Sequence, residues 1–376
     1  MKETILMIAA SEHDADMLYA SGIFVPDPFI TIKIGNVWHG LFSPLEIDRA
    51  RKQSSLDEVH LDTPWREKAN ANGWEKGLSA VAAAFLKDRG VVEVLVPGHF
   101  PLRYANQLTN WGFQVKAAED ALFIERITKT ETEIKHLAQA ERLTKKAMQS
   151  AEQFIGESDI GADGILRHAA VAGKVKSKHL RSIIETYLIQ HGAMPAHTIV
   201  ACGRESADPH QVGHGFLRAH QPIIIDIFPR VLATGYWGDM TRTYVKGDVP
   251  SQVMKLYNTV KEGQEIGLGM VRDGVEGDLI HRTITGHFDQ QGFKTGMIKG
   301  KQGGFFHGTG HGVGLEIHEA PRVSTGSGAL KTGHVITIEP GLYYPGLGGI
   351  RLEDMVVVQP DGHINLTKHP CRLKID

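Results

Sequence analysis

Five residues in the C-terminal part of the chain, Asp226, Asp239, His311, Glu339 and Glu353, combine four carboxylates with one imidazole. An oxygen-rich set of this kind suits a pair of hard or borderline divalent cations better than a lone zinc held by thiolates. The chemistry it points to is metal-assisted hydrolysis. Each residue sits in a distinctive local frame. Ile223-Ile224-Ile225-Asp226 is a β-branched run ending in a carboxylate, and after a turn-like stretch Asp239 opens a second β-like run, Met240-Thr241-Arg242-Thr243. The pair predicts a hairpin that brings both carboxylates onto one face. Glu339 follows Val335-Ile336-Thr337-Ile338 and precedes Pro340-Gly341, and Glu353 follows Gly349-Ile350-Arg351-Leu352. An unpaired charge in an apolar strand is costly, so each position calls for a cation or strong donors beside it.

The histidines add a second layer. His307 and His311 stand four residues apart and could share a helix face, but Gly308, Gly310, Gly312 and Gly314 fall at alternate positions and oppose a helix. Glycine at that density predicts backbone passing close to a metal or substrate, with His307, His311 and His318 converging on one pocket. Upstream, the turn-rich segment Ala207-Asp208-Pro209-His210-Gln211-Val212-Gly213-His214 makes His210 a candidate proton handler and His214 a weaker one. Arg351 and Glu353 alternate along one strand and so share a face; taken alone, they would be an ordinary surface ion pair.

These residues need elements to position them. Thr130 and Glu133 have the spacing of a capping box, and Ile134, Leu137, Ala138, Ala147, Met148 and Ala151 continue as an apolar helical face. Leu180, Ile183, Ile184, Tyr187 and Leu188 mark a second helix ended by Gly192. The order then recurs: Val253, Leu256, Tyr257 and Val260 on a helix, a bend at Asp273-Gly274, and another helix from Leu279 to Phe288. Helix, bend, helix and donor-bearing strands occur twice, which suggests a pseudo-symmetric domain with its site between the halves. Before a boundary near Arg126 to Lys129, the chain alternates strand and helix patterns. Ile5 to Ala9, Phe29 to Ile34 and Val91 to Val96 read as strands, and Trp65 to Arg89 carries a helical stretch closed by Gly90. That region has no phosphate-cradling glycine motif, so scaffolding or covering a site is its expected role.

Composition narrows the class. A chain of 376 residues exceeds the usual single core, and its net charge of −2 offers no polycationic surface to nucleic acid or anionic lipid. The N-terminus lacks the basic and long apolar segments of a signal peptide, and no apolar stretch is long enough to span a bilayer. The two cysteines, Cys202 and Cys371, read as reduced thiols. A cytoplasmic protein, with no nucleic-acid or membrane partner, is the expectation.

With these motifs in hand, residues 130–376 resemble the pita-bread metallopeptidases, the family of methionine aminopeptidase, aminopeptidase P, prolidase and creatinase. The first ~125 residues more loosely resemble the creatinase-type N-terminal domain. The resemblance implies an α+β fold, with a creatinase-like α/β domain over residues 1–126 and a pita-bread catalytic domain over 130–376. It favours the Xaa-Pro branch, because methionine aminopeptidases lack the extra domain. It implies Asp226, Asp239, His311, Glu339 and Glu353 as metal ligands, with Glu339 and Glu353 bridging, for two divalent ions: manganese first, cobalt or zinc as alternatives. His311 is selected because it stands seven residues before His318, which begins a His-Glu pair. Glu339 would accept a proton from the attacking water and His318 would steady the oxyanion. His210 or His307 would place the substrate or protonate the leaving nitrogen, and Arg351 would orient Glu353 or its strand. The expected activity is cleavage of the Xaa-Pro bond at the N-terminus of peptides by a metal-bound hydroxide, with Xaa-Pro dipeptidase as the alternative. A metal-free creatinase-like hydrolase and a non-catalytic peptide-binding relative rank lower, and relatives imply a homodimer. The interval from Asp226 to Asp239 is two residues longer than the family's usual one; in a hairpin, two added residues preserve the faces where one would reverse them.

Overall fold

The computed structural model describes residues 3–119, 121–298 and 300–376. The chain forms two compact units, Met1–Ile124 and Glu125–Asp376.

The first unit is built on a six-stranded sheet of order β4-β3-β2-β1-β5-β6. Its strands are β1 (Thr4–Ala9), β2 (Phe29–Ile34), β3 (Val37–Phe42), β4 (Glu58–Leu61), β5 (Glu93–Val96) and β6 (Gln114–Ala117). β1, β2 and β3 pair antiparallel, whereas β4 and the β5–β6 side join in parallel. Alternate side chains of β1 enter different cores, Leu6 and Ile8 on one face and Ile5 and Met7 on the other. A sheet covered on both faces explains why β1 reads as a continuous apolar run. The stretch Trp65 to Arg89 is not one helix. It divides into α3 (Thr63–Ala71) and α4 (Leu78–Asp88), α1 and α2 being Ala15–Ser21 and Ile47–Gln53. The break falls where Gly73 takes a φ of 71°, a left-handed conformation that a continuing helix excludes.

The second unit repeats one design. Helices α6 (Glu131–Gly156) and α7 (Ser177–Gln190) pack over a sheet containing Ile199–Cys202, Ile223–Ile227 and Met240–Lys246, α5 being Leu102–Asn110. Met148, Phe154, Leu180, Ile184, Ile223 and Ile225 share the resulting core. Helices α8 (Ser251–Met270) and α9 (Gly277–Gln290) pack over a second sheet, of strand order Glu319–Val323, Gly310–Gly312, Val335–Ile338, Asp354–Gln359 and Gly362–Asn365. Leu256, Val260, Ile284, Ile336, Val356 and Val358 form its core. The start of α6 has the predicted capping box: the Thr130 side chain accepts from the Glu133 N–H, and Glu133 accepts in return from the Thr130 N–H. Among the described residues, no helix is long and apolar enough to cross a membrane.

Candidate metal centre

The hairpin forms as its pattern predicts. Ile223–Ile227 runs antiparallel to Met240–Lys246 with Asp226 opposite Thr241 and Ile227 opposite Met240. Extending that register by one pair puts Asp239 on the same face as Asp226. The longer connection is absorbed outside the pairing, where Arg230–Val231 pairs with Ala193–Met194 and the Gly235 N–H closes a turn onto the Val231 carbonyl. Gly238 lets the chain pass α6, since a Cβ there would lie 2.4 Å from Thr144 Oγ1. The Asp239 N–H then donates to Glu141 on α6 at 3.0 Å.

The glycine-rich segment forms the strand Gly310–Gly312, and its register against Glu319–Val323 shifts between His311 and Gly312. Two of the glycines also meet a packing need that their density does not announce. A Cβ on Gly310 would stand 1.9 Å from the Thr337 carbonyl oxygen, and one on Gly312 would stand 2.3 Å from that of Ala320. Close backbone-to-backbone approach accounts for Gly310 and Gly312, whereas Gly314 passes the Glu319 carboxylate, and Gly308 and Gly310 also line the cleft.

Asp226, Asp239, His311, Glu339 and Glu353 all line one cleft of about 730 Å3, together with His210, His307, His318 and Arg351. The five donor residues are buried except Glu339, which is half-buried. Single donor atoms of Asp239, His311 and Glu353 lie within 4.8 Å of one another. His311 Nε2 is 3.6 Å from Asp239 Oδ2 and 3.4 Å from Glu339 Oε1. Its Nδ1 faces the Gly312 carbonyl at 3.1 Å, an arrangement that places the ring proton on Nδ1 and leaves the Nε2 lone pair toward the carboxylates. Burial, then His318, push the His311 pKa down to about 3, so a second proton does not resolve the conflict.

The carboxylates are perturbed in the opposite direction. Burial, followed by repulsion from Glu353, Asp226 and Glu339, raises the Asp239 pKa well above the usual carboxylate range. Burial and then Glu339 and Asp226 do the same to Glu353, and burial lifts Glu339 to about 8. Asp226 Oδ1 is buried without a hydrogen-bond partner. Lone pairs facing lone pairs, crowded carboxylates and an orphaned oxygen are what a cation between these groups would resolve, so the donor set fits a divalent metal centre.

Arg351 is buried and donates to Asp226 Oδ2 at 2.6 Å, not to Glu353. Leu352 and Glu353 fall between the strands Gly348–Arg351 and Asp354–Gln359, so strand pairing is interrupted where the sequence pattern predicts an unbroken strand. Thr241 connects the two residues instead, its Oγ1 accepting from Arg351 Nε at 3.1 Å and donating to Glu353 Oε2 at 2.7 Å. Arg351 Nη1 also donates to the Tyr343 hydroxyl at 2.9 Å. That hydroxyl lies 3.0 Å from His307 Nε2, whose ring partner Nδ1 faces the Gly308 carbonyl at 2.7 Å. Both His307 nitrogens are thereby engaged, and burial with Arg351 holds its pKa down to about 3. His318 is exposed and meets the His311 ring edge to face at 4.3 Å. His210 is exposed on the cleft wall, whereas His214 does not line the cleft.

The sequence motifs do not single out Thr241, Tyr343, Glu141 or Arg322. Thr241 was accessible, because strand alternation places it on the face of Asp239. Arg322, opposite His311 across the bulge and lining the cleft, depends on a register shift that no local pattern announces.

A buried carboxylate–imidazole centre held between two similar halves defines a class of metal-dependent hydrolase, and the comparisons with known proteins agree. Residues 135–360 match the model of metallopeptidase family M24, and the chain belongs to that family. A Xaa-Pro dipeptidase of Pyrococcus furiosus is 35% identical over 263 residues, 68% of this chain and 67% of the relative. The crystal structure of a prolidase from Pyrococcus horikoshii superposes with a TM-score of 0.80 at 26% identity, covering 99% of this chain and 95% of that one. An X-Pro aminopeptidase from Thermotoga maritima shares the fold, with a TM-score of 0.82 at 22% identity over 100% and 98% of the two chains. The pita-bread resemblance read from the motifs, including its Xaa-Pro branch, is borne out.

Proposed function

We propose that this metallopeptidase is an Xaa-Pro dipeptidase, with Asp226, Asp239, His311, Glu339 and Glu353 holding two divalent cations, manganese being the metal proposed. The observation that carries the proposal is the convergence of these five donors in one cleft, in a chain whose curated relative of 35% identity is named a Xaa-Pro dipeptidase. That relative favours the dipeptidase reading over the aminopeptidase expected first. Residues 1–126 are assigned as a creatinase-like N-terminal domain and 130–376 as the catalytic domain of a cytoplasmic homodimer.

Bound there, the cations would supply Lewis acidity and lower the pKa of water. The chain's own groups do the rest. Glu339, a carboxylate on the cleft wall beside the other donors, is suited to receive the proton of the attacking water. His318 and His210, both exposed on the cleft, are suited to steady the developing oxyanion and to protonate the imino nitrogen as it leaves. His307, with both nitrogens engaged, acts as a positioning residue for Tyr343 and Arg351 rather than as a proton donor. Arg351 fixes Asp226 through its charged hydrogen bond. Phe228, Phe306, Ile199 and Ile317 give the cleft apolar walls that suit a proline ring. A bond before proline has a tertiary nitrogen and a fixed φ, which general peptidases align poorly.

The test is hydrolysis of matched Xaa-Pro dipeptides and Xaa-Pro-Yaa tripeptides by chelator-treated enzyme, before and after manganese is restored. Metal-dependent cleavage of the dipeptide is expected. Preference for the tripeptide would move the assignment to aminopeptidase P, and no cleavage of either would overturn the peptidase reading.

A further inference from the structure

The first unit carries a second cluster of nitrogen and oxygen donors, remote in sequence from the cleft residues. β3 and β4 pair in parallel, with His39 opposite Glu58 and Leu41 opposite His60. Alternation along β4 puts Glu58 and His60 on one face. His39 Nδ1 lies 3.2 Å from Glu58 Oε2, His60 Nε2 lies 3.2 Å from the same oxygen, and the two nitrogens are 3.2 Å apart. Three donors at the corners of a near-equilateral triangle are one face of a coordination tetrahedron. Ligands about 2.0–2.1 Å from zinc stand about 3.3 Å from each other, which is the edge seen here to within about a tenth of an ångström.

We propose that His39, Glu58 and His60 form a zinc-type divalent cation site, independent of the peptidase centre. The rings are held for the purpose. His39 packs edge-on against Phe85 at 5.3 Å, and His60 packs edge-on against Trp65 at 5.5 Å. Burial lowers the pKa of both rings, which favours the neutral imidazole that a metal binds. The neighbouring charges are mixed: Arg89, stacked on Phe85, opposes a cation, and Asp57 and Glu58 favour one. His39 is buried, whereas the Glu58 side chain is 50% exposed, so the cluster meets solvent on the Glu58 side. A cation there ties the edge strand β4 to β3, which already lies inside the sheet.

The test is zinc stoichiometry on the full chain, stripped with chelator, equilibrated by dialysis at buffered free zinc and read by elemental analysis. His60→Asn is expected to hold one zinc fewer than the unsubstituted protein while cleaving peptide at the same rate. An Asp239→Asn/Glu353→Gln protein is expected to retain one zinc that disappears when His60→Asn is added. Cobalt in that double variant should give the strong visible bands of a tetrahedral site, and His60→Asn should abolish them. Glu58→Gln, at an exposed position, repeats the measurement if His60→Asn changes the circular dichroism of the fold. Equal zinc content with and without His60 in both backgrounds would overturn the proposal and leave a hydrogen-bonded clip. Because the double variant disables the cleft, that result is distinguishable from failure of the peptidase reading.

Discussion

In the first half of the second unit, Asp226 lies inside a regular hairpin whose register runs unbroken from Ile223–Tyr244 to Ile227–Met240, and Asp239 stands one residue before its last pair, on the face that register sets. In the second half every donor sits where regular pairing stops. His311 is at a register shift, Glu339 follows the end of Val335–Ile338, and Glu353 occupies the unpaired step before Asp354–Gln359. A regular register protects the facing of its side chains, which is how the hairpin accommodates a longer loop without turning Asp239 away. An irregular backbone has no such protection, and around His311 it also needs close approaches that only glycine permits, as Gly238 does beside Asp239.

The largest expected effect removes a donor from the protected half. Asp239→Asn keeps the shape of the side chain but weakens its hold on a cation, so kcat/KM should fall by more than the roughly 100-fold typical of disturbing an outer partner of a metal site. Metal content should fall with it. Near-normal turnover at normal metal content would show that the cleft works without this carboxylate.

Next comes Arg351→Met, which strips Asp226 of its buried partner and cuts the connection to Tyr343. Activity should drop about 10- to 100-fold. Stability should fall by about 3–5 kcal/mol, because a carboxylate is left buried and unpaired; urea denaturation measures it, and metal should restore part of the loss. Unchanged stability would mean that Asp226 finds another partner, and the two halves are then less tightly coupled than their contacts indicate.

Much of this architecture is legible in the amino-acid sequence. The hairpin, the capping box at Thr130 and the four carboxylate positions follow from β-branched runs, turn residues and local spacing, all of which act within a few residues, whereas the family resemblance selects His311 among three nearby histidines. What the sequence hides depends on contacts between distant segments. Arg351 reads as a partner of Glu353 two residues away, yet it pairs with Asp226 across the sheet junction. The glycines around His311 read as room for a ligand, and Gly310 and Gly312 also make room for the carbonyls of Thr337 and Ala320, which no local pattern shows. The helical stretch between Trp65 and Arg89 reads as one piece, yet a polar α3 and an apolar α4 are separated by residues 72–77, where Gly73 takes a left-handed φ.

Gly310→Ala tests the unprotected half directly. A methyl group 1.9 Å from the Thr337 carbonyl cannot be accommodated without moving one of the strands that carry His311 and Glu339. The expected loss is about 1–3 kcal/mol of stability, with a parallel fall in metal affinity. Calorimetry with and without manganese separates the two. A variant as stable as the parent would show that the second sheet yields easily and that regularity is not what protects the first.

Glu319 offers a pH-dependent measure of how the second half is anchored to the segment preceding α6. Burial by itself would raise its pKa, but Lys129 at 2.7 Å and the adjacent Arg126 outweigh burial and hold it below the ordinary value of 4.5. The folded pKa is thus lower than the unfolded one, so the stabilisation is complete above the ordinary glutamate range and is lost as pH falls through the folded value. Glu319→Gln should cost about 1 kcal/mol at pH 7 and flatten the acid limb of stability against pH below about 4.5. An unchanged acid limb would move the anchoring role to Glu316, which also pairs with Arg126.

The smallest effect sharpens the comparison from the other side, because not every glycine in the second half is there for space. Gly286 lies within α9, and nothing stands within 4 Å of where its Cβ would be. Glycine in a helix interior costs up to about 1 kcal/mol relative to alanine through backbone entropy. Gly286→Ala should therefore raise the melting temperature by about 2–4 °C in a unit of this size and leave kcat/KM unchanged. Set against Gly310→Ala, the same chemical change then stabilises where the helix is regular and destabilises where a strand pair is forced into close approach. If both substitutions destabilised, glycine content rather than local geometry would govern the second half, and its irregular strands would need a different explanation.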